Sequence, residues 1–236
     1  MDLFLKQISC HISIKPKSVP EVPKLFDTEF IQIPEFIYWE LFKKIYSQSK
    51  EKIFVDVGAF DGITYSNTYR LFKGNNWYGI YVEPNPISIE SLKKNCQPIK
   101  SYTLHECAAG SSDHIAKLYL DNEFSCMYSM PNKEFIQIKV KTLNNILSDI
   151  SKYNLLSLDV EGYEIEVLKN YDISQHSPEV CIVETHDKNP NFNKTITKYC
   201  DEYFYKHNYK KYFSNYINTI YIHQSKYDTL TIFDLS

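Results

Sequence analysis

From residue 51 onward, hydrophobic positions fall into short runs separated by amphipathic stretches. β-branched and aromatic residues cluster at 53–57, 77–82, 102–107, 155–159 and 180–184. Between most of these runs, near 65–72, 87–96, 143–151 and 163–171, apolar residues recur at helical spacing. Short apolar strands joined by helical crossovers predict a parallel sheet covered on both faces, an α/β doubly wound domain. The stretch 114–141 breaks the rhythm: 116–120 and 135–140 read as extra strands flanking a polar turn, an insertion in the third crossover. A helix predicted over 196–207 precedes two strand-like runs, 211–213 and 219–222, joined by a short Asn/Tyr turn. So short a connection predicts an antiparallel hairpin at the sheet edge. The first 50 residues form a lead-in: 15–23 is too proline-dense for a helix interior or a central strand, and 34–46 carries an apolar stripe at helical spacing. The expected organisation is a lead-in with one helix over 1–50 and a single domain over 51–236 that contains the insertion.

Composition narrows the class. The 236 residues are 43% hydrophobic and 23% charged, the profile of a folded globular chain. A net charge of −3, with Arg70 as the single arginine, argues against a nucleic-acid or anionic-membrane binder. The opening residues Met1-Asp2-Leu3-Phe4-Leu5-Lys6 lack the apolar core of a signal peptide, and no window approaches the ~20 apolar residues of a membrane span. Six cysteines (10, 96, 107, 126, 181 and 200) contain no C-x-x-C pair, and Cys107 and Cys181 sit inside apolar runs. Reduced thiols and a cytoplasmic location are the expectation.

In an open α/β sheet, ligands bind beyond the carboxyl ends of the strands. The first run leads from Asp56 and Val57 into Gly58-Ala59-Phe60-Asp61-Gly62, whose glycines let the backbone turn tightly and approach a ligand. The second ends in Glu83-Pro84-Asn85, with Glu83 placed 21 residues after Gly62, where an acid accepts both hydroxyls of a ribose. Together they point to a nucleoside-containing cofactor. A dinucleotide site needs G-x-G-x-x-G, and a P-loop needs G-K-S/T; neither is present. Asp56 and Asp61 would repel a pyrophosphate but suit a cation, such as the sulfonium and α-ammonium of S-adenosylmethionine. Cys107 and Ala108, in the small-residue loop after the third run, can admit a flat base.

The fourth run ends in Asp159-Val160-Glu161-Gly162 and the fifth in Glu184-Thr185-His186. Adjacent parallel strands lie ~5 Å apart, which allows Asp159, Glu184 and His186 to converge. Asp159, Glu161 and His186 are the catalytic candidates, and Asp159 with Glu184 the candidate ligands of a divalent ion. A purely structural use of these acids, hydrogen-bonded to helix N-termini, stays open.

These motifs, with Val140-Lys141-Thr142-Leu143 and Leu158-Asp159-Val160-Glu161-Gly162-Tyr163-Glu164, resemble the FkbM-type methyltransferases over roughly residues 50–224. The resemblance implies a Rossmann-like class I methyltransferase fold, a seven-stranded, mostly parallel sheet with its last strand antiparallel. It also implies S-adenosylmethionine-dependent O-methylation, often of sugar hydroxyls in glycans or glycosylated products. The chain departs from the family pattern at Asn144, where Asp is frequent, and at Ser157, where Lys is frequent.

Methyl transfer to a hydroxyl requires in-line alignment and removal of the hydroxyl proton. Glu83 is expected to hold the ribose, and Asp56 or Asp61 the ammonium. Either His186 acts as base, or Asp159 and Glu184 hold Mg²⁺ or Mn²⁺ that acidifies the hydroxyl. A carbohydrate acceptor is expected and a nucleic acid is not, while oligomeric state is open. Two rival readings remain: a nucleotide-cofactor oxidoreductase, which the loop disfavours, and a catalytically inactive module that kept the cofactor fold.

Overall fold

The computed structural model describes residues 52–74, 76–97, 101–121, 124–189 and 193–228, together with Ile37, residues 41–46 and Leu230. Seven strands form the main sheet: β1 (Ile53–Val57), β2 (Tyr78–Val82), β3 (Tyr102–His105), β7 (Leu155–Leu158), β8 (Val180–Glu184), β9 (Tyr209–Ser214) and β10 (Asn218–His223). Their order is β3-β2-β1-β7-β8-β10-β9. The first five in that order are parallel to one another, whereas β10 runs antiparallel to both β8 and β9. The expected fold class is therefore the one found, with the terminal hairpin closing one edge.

Side-chain alternation along the strands divides the core between the two faces. Val55, Val57, Leu156 and Leu158 pack with Phe204 and Leu168 on one side. Phe54, Tyr81, Leu155 and Ile182 pack with Trp77 and Leu92 on the other. Helix α1 (Tyr69–Gly74) follows β1, and α2 (Pro86–Cys96) follows β2. The remaining helices are α3 (Leu143–Ile146), α4 (Glu164–Leu168), α5 (Thr195–Lys206) and α6 (Gln224–Tyr227). Helix α2 has the expected start signals, Asn85 capping Ile87 N–H and Pro86 in the first turn, and buries Ile89, Leu92 and Cys96. The first crossover helix starts later than its apolar pattern suggests. Ser66 Oγ takes the N–H groups of Thr68 and Tyr69, and Asp61 takes those of Ile63 and Thr64, so local side-chain bonds hold 61–68 in turns.

Two strands of the stretch 114–141 join a shorter strand that precedes them in a second, three-stranded sheet. Strands β5 (His114–Tyr119) and β6 (Phe135–Lys141) pair antiparallel, and the two-residue β4 (Ala108–Ala109) pairs parallel with β6. So short a strand as β4 has no periodicity to read. Residues 34–36 and 38–40 of the predicted helix over 34–46 lie outside the described residues. Its described part ends in a π-helical turn, Phe42–Tyr46, with Tyr46 packed edge-on against Trp77 at 4.8 Å. Among the described residues no helix is long and apolar enough to cross a membrane, and Cys96, Cys107, Cys126, Cys181 and Cys200 are free thiols.

Register decides what meets at the carboxyl edge. Val57 is level with Val82 and with Leu158, and Leu158 with Val183. The next residues, Gly58, Glu83, Asp159 and Glu184, therefore emerge side by side. Gly58 is the tightest point: its φ is +81°, and a Cβ there would lie 1.7 Å from the Asp159 carbonyl oxygen. Gly58→Ala should lower the unfolding free energy by at least about 2 kcal/mol, read from the denaturation midpoint. An unchanged midpoint would mean that the turn can move off β7 at no cost.

Candidate active site

A cavity of about 310 Å³ opens at the carboxyl edge over β1, β2, β7 and β8. Its floor is the turn after β1, where Gly58 N–H and Ala59 N–H both donate to the Val82 carbonyl, at 2.9 and 3.3 Å. Asp56 lies beneath, buried, accepting from the Thr68 hydroxyl at 2.5 Å, and burial pushes its carboxyl up to about 6. Ser157, the residue level with it on β7, also hydrogen-bonds to it. Asp61 has a different task from Asp56. Its carboxylate accepts from Ile63 N–H, Thr64 N–H and the Thr64 hydroxyl, and neither Asp61 nor Gly62 lines the cavity.

Glu83 ties two loops together. One carboxylate oxygen accepts from Phe60 N–H at 2.9 Å and the other from Asn85 N–H at 2.8 Å, bridging the glycine turn to the loop after β2. Burial outweighs these bonds and pushes its carboxyl up to about 7, with the nearby Asp56 adding to the rise. Pro84 and Asn85 continue this wall, and Ala108, Ala109 and Leu118 make an apolar surface beside it. Phe124, Ser125, Cys126 and Met127, from the β5–β6 connection, also line the cavity, and Asn85 Nδ2 reaches Ser125 Oγ at 3.4 Å. Cys107 is buried in the core and does not line the cavity.

The opposite wall is acidic. Asp159, Glu161 and Glu184 each offer a carboxylate oxygen within 4.8 Å of the others. Asp159 and Glu184 hydrogen-bond to each other, so one of them carries a proton. Burial and the neighbouring Glu184 push Asp159 well above the usual carboxylate range; burial, with Glu161 and Glu164 adding, pushes Glu184 up to about 8. Glu161 sits at φ +53° and Gly162 at φ +94°, a turn fastened by Glu164, which accepts from Val160 N–H and Gly162 N–H.

His186 closes this wall, with Nε2 3.1 Å from a Glu184 oxygen and Nδ1–H donating to the Tyr216 carbonyl at 3.1 Å. Its backbone is held at φ +51°, and Thr185 N–H and His186 N–H both donate to the Ile217 carbonyl at 2.9 Å. The β9–β10 turn thus anchors His186 and brings Ile217 into the lining. Sequence reasoning treated that turn only as a connection, and it missed Tyr65, Ser66, Asn67 and Ser157 as lining residues as well. Nothing in a hairpin's spacing tells which strand end its tip will meet.

Among the described residues, the lining holds five carboxyl side chains (Asp56, Glu83, Asp159, Glu161 and Glu184) and neither Lys nor Arg. Such a surface suits a cationic ligand bearing a diol, and the donor set of hard oxygens at Asp159, Glu161 and Glu184 suits Mg²⁺ or Mn²⁺.

The profile of the methyltransferase FkbM domain matches residues 56–211. The fold is similar to that of the FkbM methyltransferase from Methylobacillus flagellatus KT, at 18% identity and a TM-score of 0.51. That match covers 77% of this chain and 48% of the other, so the chain spans about half that protein's length. A precorrin-6y C5,15-methyltransferase from Geobacter metallireducens GS-15 matches at 13% identity and a TM-score of 0.46, covering 83% of this chain and 91% of the other. Curated protein sequences include no match.

The acid-lined cavity sets a pH dependence. Asp56, Glu83, Glu184 and Asp159 are all raised in the folded chain, whereas unfolded carboxyls titrate near about 4. Between those limits the folded state holds protons that the unfolded state has released, so stability falls as pH rises from about 4 to about 8. His105 and His223, lowered by burial, oppose this near pH 6, but they are only partly buried and fewer. Thermal melting should give a higher midpoint near pH 5 than near pH 8, and Asp159→Asn should flatten the slope. A midpoint that rises over this interval would contradict the assigned burial of these acids.

Proposed function

From the premise that the chain belongs to the methyltransferase FkbM family, we propose that it is an S-adenosylmethionine-dependent O-methyltransferase acting on a hydroxyl of a carbohydrate acceptor. The observation that carries this reading is the cavity itself: among the described residues it is lined by five acids and no Lys or Arg, beside a glycine turn bridged to Glu83. S-adenosylmethionine supplies a methyl group activated by a positively charged sulfur. Glu83 accepts hydrogen bonds from the ribose hydroxyls while its backbone partners hold it in place. Asp56 and the Gly58–Ala59 backbone lie along the donor's amino-acid end, and Pro84, Asn85 and Ala108 flank the base. Asp61, Gly62 and Cys107 support the turns that carry these contacts.

On the acidic wall, Asp159 and Glu161 orient the acceptor hydroxyl, and His186 takes its proton. Because Nδ1–H is engaged by the Tyr216 carbonyl, Nε2 is the nitrogen that receives the proton, and Glu184 then stabilises the imidazolium. Exposed rings at the cavity mouth, Tyr65 at 45% and Phe124 at 55%, suit stacking on a sugar face. Free thiols throughout the described residues fit a reducing compartment such as the cytoplasm. A second reading gives Asp159, Glu161 and Glu184 a Mg²⁺ or Mn²⁺ ion, favoured by their mutual spacing, which would acidify the same hydroxyl.

Calorimetry should show S-adenosylmethionine binding to the wild type. Glu83→Ala should weaken it by about 10- to 100-fold, equivalent to ~1.5–3 kcal/mol for charge-assisted hydrogen bonds. Unchanged affinity would remove Glu83 from the site. Asp159→Asn and His186→Ala should keep the donor bound but abolish transfer of labelled methyl to a panel of glycosides. Full activity in either variant would refute that residue's role, and a rate indifferent to EDTA would end the metal reading.

A further inference from the structure

Asn67 lies in the segment between the glycine turn and α1, is 7% exposed, and lines the cavity. Its Oδ1 is buried without a hydrogen-bond partner. Among the described residues it is the one cavity-lining residue with such an atom. A buried amide left unpaired costs stability, and folded chains rarely keep one without use.

Its polar neighbours are already engaged. Ser66 Oγ accepts from Thr68 N–H and Tyr69 N–H, Thr68 bonds Asp56, and Thr64 bonds Asp61. The other amide in the lining, Asn85, caps α2 and reaches Ser125. The charges of the cavity complete the argument. The acids make the cavity negative, which suits the sulfonium and ammonium groups of the proposed donor, but the donor also carries an α-carboxylate, and among the described residues no Lys or Arg lines the cavity to meet it. A zwitterion in such surroundings needs a neutral group with both a donor and an acceptor, and a side-chain amide has both.

We propose that Asn67 binds the amino-acid end of the methyl donor, its amide donating to the carboxylate and accepting from the ammonium. This rests on the cavity being the donor site. It makes Asn67 a specificity residue that separates ligands with an amino-acid end from ligands ending at the thioether.

The test measures affinities of wild type, Asn67→Ala and Asn67→Asp for S-adenosylhomocysteine and for 5′-methylthioadenosine, which has the same adenosyl group but no amino-acid end. Asn67→Ala should weaken S-adenosylhomocysteine about 10-fold and leave 5′-methylthioadenosine unchanged. Asn67→Asp, similar in shape but unable to donate when ionised, should weaken the former at least as much. The melting midpoint of the ligand-free Asn67→Ala protein should stay level or rise, since an unpaired buried group is removed. Equal loss for both ligands, or no loss for either, overturns the assignment. A wild type that binds neither ligand overturns the donor-site reading, and this one falls with it.

Discussion

Four parallel strand ends held level by backbone hydrogen bonds are the constraint on which the site depends. Because Val57, Val82, Leu158 and Val183 share one level across the sheet, the residues that follow them leave at one edge. A shift of a single residue on any one strand would turn its side chains to the other face and separate Asp159 from Glu184. The buried apolar faces prevent that shift, since each strand's inward and outward positions both carry core residues. The chemistry at the edge is thus set by packing well below it.

The same packing burdens the site. Asp56, Glu83, Glu164 and Glu184 are all less than a tenth exposed, yet among the described residues no Lys or Arg of the lining compensates them. Their raised titration is the consequence of desolvation, and it makes the cavity hold protons that a cation would release. Groups displaced from their ordinary titration by burial and by like-charged neighbours gather at sites where function requires them. Here the surrounding fold keeps them in place through backbone donors. Phe60 and Asn85 hold Glu83, while Val160 and Gly162 hold Glu164.

Two segments outside the parallel core finish the cavity. The β9–β10 hairpin reaches back over β8, and its Tyr216 and Ile217 carbonyls orient His186. The β5–β6 connection contributes Phe124 to Met127 on the opposite side. Both are antiparallel additions, free to vary without disturbing strand register. That is where a fold common to many methyl transfers can differ from one chain to the next.

Alternating apolar runs and helical stretches were enough to determine the sheet, its parallel core and its terminal hairpin. Strand-end motifs were enough to determine that Gly58, Glu83, Asp159 and Glu184 share an edge, because those properties follow from local spacing and a fixed strand geometry. What lay beyond local spacing was decided by tertiary structure. Asp56 and Asp61 look alike in the sequence, yet one lines the cavity and the other caps a turn, and Cys107 points into the core beside a lining Ala108. Asn67 falls within the 65–72 stretch whose spacing reads as helical, and the Tyr216–Ile217 tip reads as a mere connection. Which polar group is paired, and which strand end a loop meets, depends on contacts between residues tens of positions apart, and only the folded chain supplies those.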